Sequence, residues 1–306
     1  MLPSLVVAAI HLALTLVLPP LLVGIIARTK AALAGRQGAP VWQPYRDIAK
    51  LLRKGSVIST TTSWIFLASP VVGIAAAIVA SLLLPMGGHR APVSFAGDLV
   101  LFAYLFGLAR FFTVSAALDT GSAFEGMGGA REVTFSCLAE PALLLGLVVL
   151  VRATSSLSLS TMLGPQVLAQ WHVAAAALVL VVISLFVVVL AENCRIPFDD
   201  PNTHLELTMI HEVMVLDHGG PALGMILYGA ALKLFVLGAI VVAIAVPVRT
   251  GSLVVDLGVF VGAMLGLSVL VGVIESATAR LKLRQVPSLL VGACLLAGFA
   301  VALSAR

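Results

Sequence analysis

The chain alternates long apolar runs with short polar breaks. Residues 3–27 carry no charge, and their only polar side chains are His11 and two hydroxyls. At about 1.5 Å per residue, such a run crosses a hydrocarbon core of roughly 30 Å. Comparable runs follow at 64–86, 97–119, 132–153, 172–193, 222–246, 253–275 and 286–304. The pattern predicts eight transmembrane helices, which puts both termini on one side. Pro19-Pro20 removes two backbone donors inside the first run and predicts a kink there. That run lacks a basic leading region and is too long for the core of a cleaved signal peptide, so it is expected to be a retained span.

The polar breaks are uneven. Residues 28–54 hold Arg28, Lys30, Arg36, Arg46, Lys50, Arg53 and Lys54. Within them, 44–54 reads as an amphipathic helix opened by Pro44. Tyr45, Ile48, Leu51 and Leu52 share one face; Arg46, Asp47, Lys50 and Lys54 lie mostly on the other. Such a helix either rests in the headgroup plane or docks a partner. Residues 120–131 contain four glycines and read as a tight loop, with no Walker lysine to make it a phosphate site. The stretch 192–218 concentrates Glu192, Asp199, Asp200, Glu206, Glu212 and Asp217, out of 14 acidic residues in the whole chain. Pro197 and Pro201 predict that it leaves the membrane and turns. A helix is then expected over about 203–216, with Thr203 as cap and Glu206 completing a capping box.

Composition agrees with an all-α integral membrane protein forming a single membrane domain over 1–306. The chain is 60% hydrophobic and 10% charged, with a mean hydropathy of +1.13. A net charge of +4 in such a chain reports topology rather than nucleic-acid binding. Placing 28–54 inside also puts Arg131, Arg195, Arg280, Lys282 and Arg284 inside, and leaves only Arg90, Arg152, Arg249 and Arg306 outside. The acidic stretch 192–218 is therefore expected on the cytoplasmic side, with both termini outside. Cys137, Cys194 and Cys294 are too far apart for a C-x-x-C site, so no disulfide, zinc or iron–sulfur centre is expected in this chain. His204, His211 and Glu212 form no His-Glu-x-x-His motif. Asp199-Asp200 invites comparison with the metal–diphosphate aspartates of membrane prenyltransferases, but a second acidic motif is missing. The absence of a visible internal repeat speaks against a stand-alone secondary transporter.

Ionisable residues inside the runs carry the functional signal, because a charge at the centre of a span costs about 2.5–3.5 kcal/mol. Arg110, Glu140 and Lys233 lie within spans, Glu192 and Glu275 end two of them, and His11 sits in the first. Paired acidic and basic groups at that depth suit a proton relay.

The motif Glu192-Asn-Cys-Arg-Ile-Pro-Phe-Asp199 resembles the Glu-x-x-Arg-x-Pro-Phe-Asp signature of the quinone-site membrane subunit of respiratory complex I. The same signature marks the homologous subunits of energy-converting group 4 nickel–iron hydrogenases. The continuation through Asp217 is more similar to the hydrogenase 4 component C and formate hydrogenlyase branch. Gln43–Leu52, Leu118–Phe124, Gly128–Glu132 and Ala279–Arg284 resemble the same family in the same order. The resemblance implies a subunit that anchors a cytoplasmic arm of hydrogenase large and small subunits and an iron–sulfur electron-transfer subunit. It further implies contact with antiporter-like membrane subunits and with membrane lipid. The nickel–iron centre and iron–sulfur clusters would belong to those partners, with no cofactor, metal or catalytic residue in this chain. Glu140, Glu192, Arg195, Asp199, Glu206 and Glu212 are implied to couple redox chemistry to ion movement, with Arg131 and Lys233 as charge partners. Arg46, Asp47, Lys50 and Asp200 are implied to face the arm. Asn202 and His204 replace family glutamates, which bears against the alternative of a quinone-reducing complex I subunit.

Overall fold

The computed structural model describes residues 2–199 and 209–305. Asp200, Asn202, Thr203, His204 and Glu206 lie outside the described residues, as does Arg306. Eight helices are long and apolar enough to cross a membrane. In chain order the helices are α1 (Leu2–Leu33), α2 (Gln43–Leu52), α3 (Trp64–Leu82), α4 (Asp98–Asp119), α5 (Ala123–Thr154), α6 (Leu159–Met162), α7 (Gln166–Glu192), α8 (Gly220–Ala245), α9 (Leu253–Ala277) and α10 (Val286–Leu303). The all-α membrane architecture expected from the hydropathy pattern is what forms. Helix α2 is the short amphipathic one. Pro44 sits in its first turn, as a residue without a backbone donor can.

The bundle is organised around α8. It packs against α1, α2, α3, α7 and α9, and 61% of its apolar window is buried, against 17% for α4 at the edge. Phe235 of α8 meets Phe260 of α9 edge-on, with Met264 fully buried beside them in the same core. Helix α2 lies along α8 with Leu51 and Ile48 over Gly224. Arg46, Asp47 and Lys50 of α2 are exposed.

Pro19 and Pro20 lie inside a helix that continues through them. Proline has no N–H, so carbonyls one turn earlier lose their partners. Two tyrosine hydroxyls stand in: Tyr228 of α8 donates to Leu16 O at 2.8 Å, and Tyr45 of α2 donates to Val17 O. These bonds tie α1, α2 and α8 together at the proline pair.

Two expectations need correction. The glycine-rich segment 120–131 is not a loop. Helix α5 begins at Ala123, so the fourth span starts nine residues earlier than the hydropathy pattern places it. Close packing explains the glycines: a Cβ on Gly128 would lie 2.3 Å from Val213 Cγ1 and 2.9 Å from Met214 Cγ. The second correction concerns the helix expected over 203–216. Residues 209–211 are not helical, and only a short 3-10 turn at Glu212–Val215 forms, packed on α5. His211 therefore has no continuous helix through 209–211 on which to share a face with His204.

Candidate functional site: a charge cluster inside the bundle

Helix α7 delivers Glu192 and then stops. Cys194 takes a left-handed φ of 49°, its N–H reaches Ala191 O at 3.1 Å, and the Arg195 N–H reaches Leu190 O at 2.8 Å. This is a Schellman ending with cysteine where glycine is usual. Glu192 is held as the last helical residue, facing α4 and α8.

Arg110 of α4 is the centre of the cluster. Its Nη2 donates to both Glu192 oxygens at 2.7 Å, and its Nη1 donates to Glu140 Oε1 of α5. Its Nε faces Glu132 Oε1 at 3.5 Å, a charge contact rather than a direct hydrogen bond. Lys233 of α8 completes the group, with Nζ 2.7 Å from Glu192 Oε2. Four helices thus contribute three carboxylates and two cations. With all of them ionised, the cluster carries one excess negative charge.

The cluster opens in two directions. On one side lies a cavity of about 110 Å³, lined by Arg110, Glu132, Glu192, Lys233, His211 and His218 among others. A polar cavity of that size holds several waters. On the other side, Glu140 points to the bundle surface. Its side chain is 47% exposed, against 11% for Arg110 and 7% for Glu192. Its neighbours along the outer stripe of α5 are Cys137, Pro141 and Leu144.

At the rim of the cavity, burial pushes the His211 imidazole below its ordinary value. Lys233 adds to the shift, while Glu132 and Asp199 oppose it. Burial also raises the Cys194 thiol well above its ordinary value, which keeps it protonated. His218 stacks on Phe66 with ring centroids 3.8 Å apart, and its Nε2 lies 3.3 Å from Phe66 O.

A second set of pairs braces the start of the acidic stretch. Asp199 accepts from Arg280 Nη2 at 2.8 Å and from the Ile210 N–H at 2.8 Å. Arg131 donates to Met209 O at 2.8 Å. Leu281 N–H donates to Pro197 O at 3.0 Å. Arg195 turns towards Glu275 at 3.5 Å, and Lys30 of α1 meets the same carboxylate at 2.7 Å.

The sequence-derived residues therefore divide. Glu140, Glu192 and Lys233 meet at Arg110. Asp199, Arg131 and Arg195 belong to the bracing set, and Glu212 opens the 3-10 turn beside the cavity. Two further residues, Glu132 in the cluster and Arg280 in the bracing set, are not among the sequence-derived candidates. Glu132 looks like the edge of a loop, and Arg280 looks like one of several topogenic cations. No signal in the sequence singles either out. Glu275 is the buried ion pair its span-end position suggests, and His11 is a buried structural residue with Nε2 2.9 Å from Ser81 O. Among the described residues, no group of three or more His, Cys, Asp or Glu side chains is placed to hold a metal ion.

An eight-span bundle with a five-residue charge cluster at its centre is a multi-pass membrane protein of the complex I type. The chain belongs to the NADH dehydrogenase family, whose model matches residues 5–305. Hydrogenase-4 component C of Escherichia coli K12 is 33% identical over 232 residues, covering 76% of this chain and 72% of that protein. Formate hydrogenlyase subunit 4 of the same strain is 31% identical over 275 residues, covering 88% of each. A membrane subunit of the NADH-quinone oxidoreductase of Syntrophotalea carbinolica is 25% identical over 253 residues, covering 79% of this chain and 75% of that protein. The fold also matches a chain of the membrane-bound sulfane sulfur reductase, an archaeal respiratory membrane complex. The TM-score is 0.82 at 20% identity, with 99% of each chain covered. These relatives are subunits of multisubunit respiratory-type membrane complexes.

Proposed function

We propose that this chain is the membrane-anchor and ion-coupling subunit of an energy-converting, hydrogenase-type complex. In this reading it carries a cytoplasmic redox arm on the α2 and 192–218 side and passes a charge signal sideways to antiporter-like membrane subunits. The higher identity to the hydrogenase-4 and formate hydrogenlyase subunits than to the NADH-quinone oxidoreductase subunit favours the hydrogenase branch. The nickel–iron and iron–sulfur chemistry would sit in partner subunits.

The observation that carries the coupling role is the exposure of Glu140. It lies in the middle of a 32-residue helix, and its carboxylate is half-exposed on an otherwise apolar face. Facing lipid, a charge there costs about 2.5–3.5 kcal/mol. A neighbouring membrane subunit that presents polar or cationic groups removes that cost. The same contact continues the path from the wet cavity through Glu192 and Arg110 to Glu140 and outwards. Lys233 and Arg110 hold Glu192 between them, so a proton gained or lost at any one carboxylate changes the balance at the other two. Arg195, Asp199, Arg131 and Glu212 position the acidic stretch above this path. Glu206 and Asp200 are its proposed continuation towards the arm, together with Arg46, Asp47 and Lys50. The acidic stretch faces the cytoplasm and the termini face outwards, as the distribution of Lys and Arg requires.

The test is Glu140→Gln in the assembled complex. The variant keeps its size and its hydrogen bond to Arg110 but cannot carry a charge. Expected are normal assembly and metal content, with ion translocation per electron reduced at least about tenfold, as for loss of one essential relay group. Wild-type translocation in this variant would sink the coupling role while leaving the anchoring role standing.

A further inference from the structure

The opposite end of the bundle from the acidic stretch is poor in cations, yet two of its arginines converge. Arg90 comes from the α3–α4 connection and Arg249 from the α8–α9 connection. Together with His89, Ser160, Thr161 and Gln166 they line a pocket of about 450 Å³ that is open to the surface. Arg249 is the fixed wall. Its Nη1 donates to Gly88 O at 2.6 Å and its Nη2 to Leu163 O at 2.8 Å, so it staples three connections together. Arg90 is the free arm: it is exposed and enters no ion pair among the described residues.

The acidic groups nearby are spent. Asp256 accepts from Thr250 N–H at 2.7 Å and Thr250 Oγ1 at 2.8 Å. Asp98 accepts from Leu159 N–H at 2.6 Å and Ser158 Oγ at 3.0 Å. Ser160 Oγ receives the Ala91 N–H at 3.1 Å and keeps its own proton to donate. What faces the pocket is therefore a set of donors with a mobile guanidinium at the mouth. Apolar side chains flank it: Val248 beside Arg249 and Leu168 one half-turn beyond Gln166 are each more than 40% exposed.

We propose that this pocket binds the phosphate of an anionic phospholipid headgroup, with the acyl chains lying along the Val248 and Leu168 side. A planar guanidinium recognises phosphate oxygens through paired charge-assisted hydrogen bonds, and the hydroxyls and the Gln166 amide supply the remaining donors. A phosphate at this depth, between donors and exposed apolar surface, matches an amphiphile better than a free ion. The site shares no residue with the Arg110 cluster and does not depend on the coupling proposal.

The experiment is native mass spectrometry of the purified protein from nanodiscs containing phosphatidylglycerol and phosphatidylcholine, with and without inorganic phosphate. The wild type should retain phosphatidylglycerol in preference to phosphatidylcholine. Arg90→Gln should weaken that retention about tenfold, with Arg90→Lys intermediate, because a charge-assisted pair is worth about 1.5 kcal/mol or more. Arg90 is exposed and holds no structural contact, so both variants should fold. Equal retention of both lipids, or retention unchanged in Arg90→Gln, overturns the site. Arg90-dependent binding of inorganic phosphate with no lipid preference overturns the headgroup assignment.

Discussion

Replacing Arg110 with methionine tests whether the cluster is a balanced electrostatic unit. Three carboxylates depend on this guanidinium to unequal degrees. Glu140 is half-exposed, so its pair is screened and contributes at most about 1 kcal/mol. Glu192 is nearly buried but keeps Lys233 at 2.7 Å. Glu132 loses a contact of 3.5 Å. Removing one partner of a buried pair costs about 3–5 kcal/mol when the remaining charge stays. A proton can instead neutralise one carboxylate. For a carboxylate of ordinary value, about 4.3, that costs about 3.7 kcal/mol at pH 7 and about 1 kcal/mol at pH 5. The loss in Arg110→Met is therefore capped near 4 kcal/mol at pH 7 and should shrink to about 1 kcal/mol at pH 5. At about 2 °C per kcal/mol for a chain of this size, the melting temperature falls by about 6–8 °C at pH 7 and by about 2 °C at pH 5. The assay is thermal unfolding of both proteins in one detergent at the two pH values. A deficit below about 2 °C at pH 7, or one equal at both pH values, would refute the reasoning.

Two more outcomes follow from the packing and the histidines. Gly128→Ala places a methyl 2.3 Å from Val213 Cγ1. It should cost about 1–3 kcal/mol and loosen the 3-10 turn, read as faster proteolysis within 209–218. His218 is held below its ordinary value by burial, against weaker opposing contributions from the Phe66 carbonyl and Asp217. The folded chain then binds fewer protons than the unfolded chain below about pH 6.5. Its contribution is present above that pH and lost as pH falls, so His218→Gln should flatten the acid side of a melting-temperature profile. An identical slope in the variant would remove His218 as the cause.

The spans were legible because each is a continuous apolar run, and the charged residues inside them stood out because lipid penalises charge. What the sequence did not carry is partnership. Arg110 read as an isolated cation in the third span, and only the bundle shows that α5 and α7 bring three carboxylates to it. Glu132 was hidden by glycines that resemble a turn but serve a helix packed tightly on Val213 and Met214. Arg280 was hidden among the basic residues of a cytoplasmic connection, since its pairing with Asp199 links positions 81 residues apart. The α2 helix shows the converse: a hydrophobic face, Pro44 and a short length are all local, so its start was readable to within one residue.

The central claim is that this chain works as a subunit of a hydrogenase-type assembly. The most direct measurement is a mild-detergent purification through a tag on this chain, with nickel, iron, flavin and quinone quantified in the product. The account predicts a hydrogenase large subunit with stoichiometric nickel and several irons per chain. Iron with flavin and quinone but no nickel, or a metal-free chain purifying alone after cross-linking in the membrane, would contradict it.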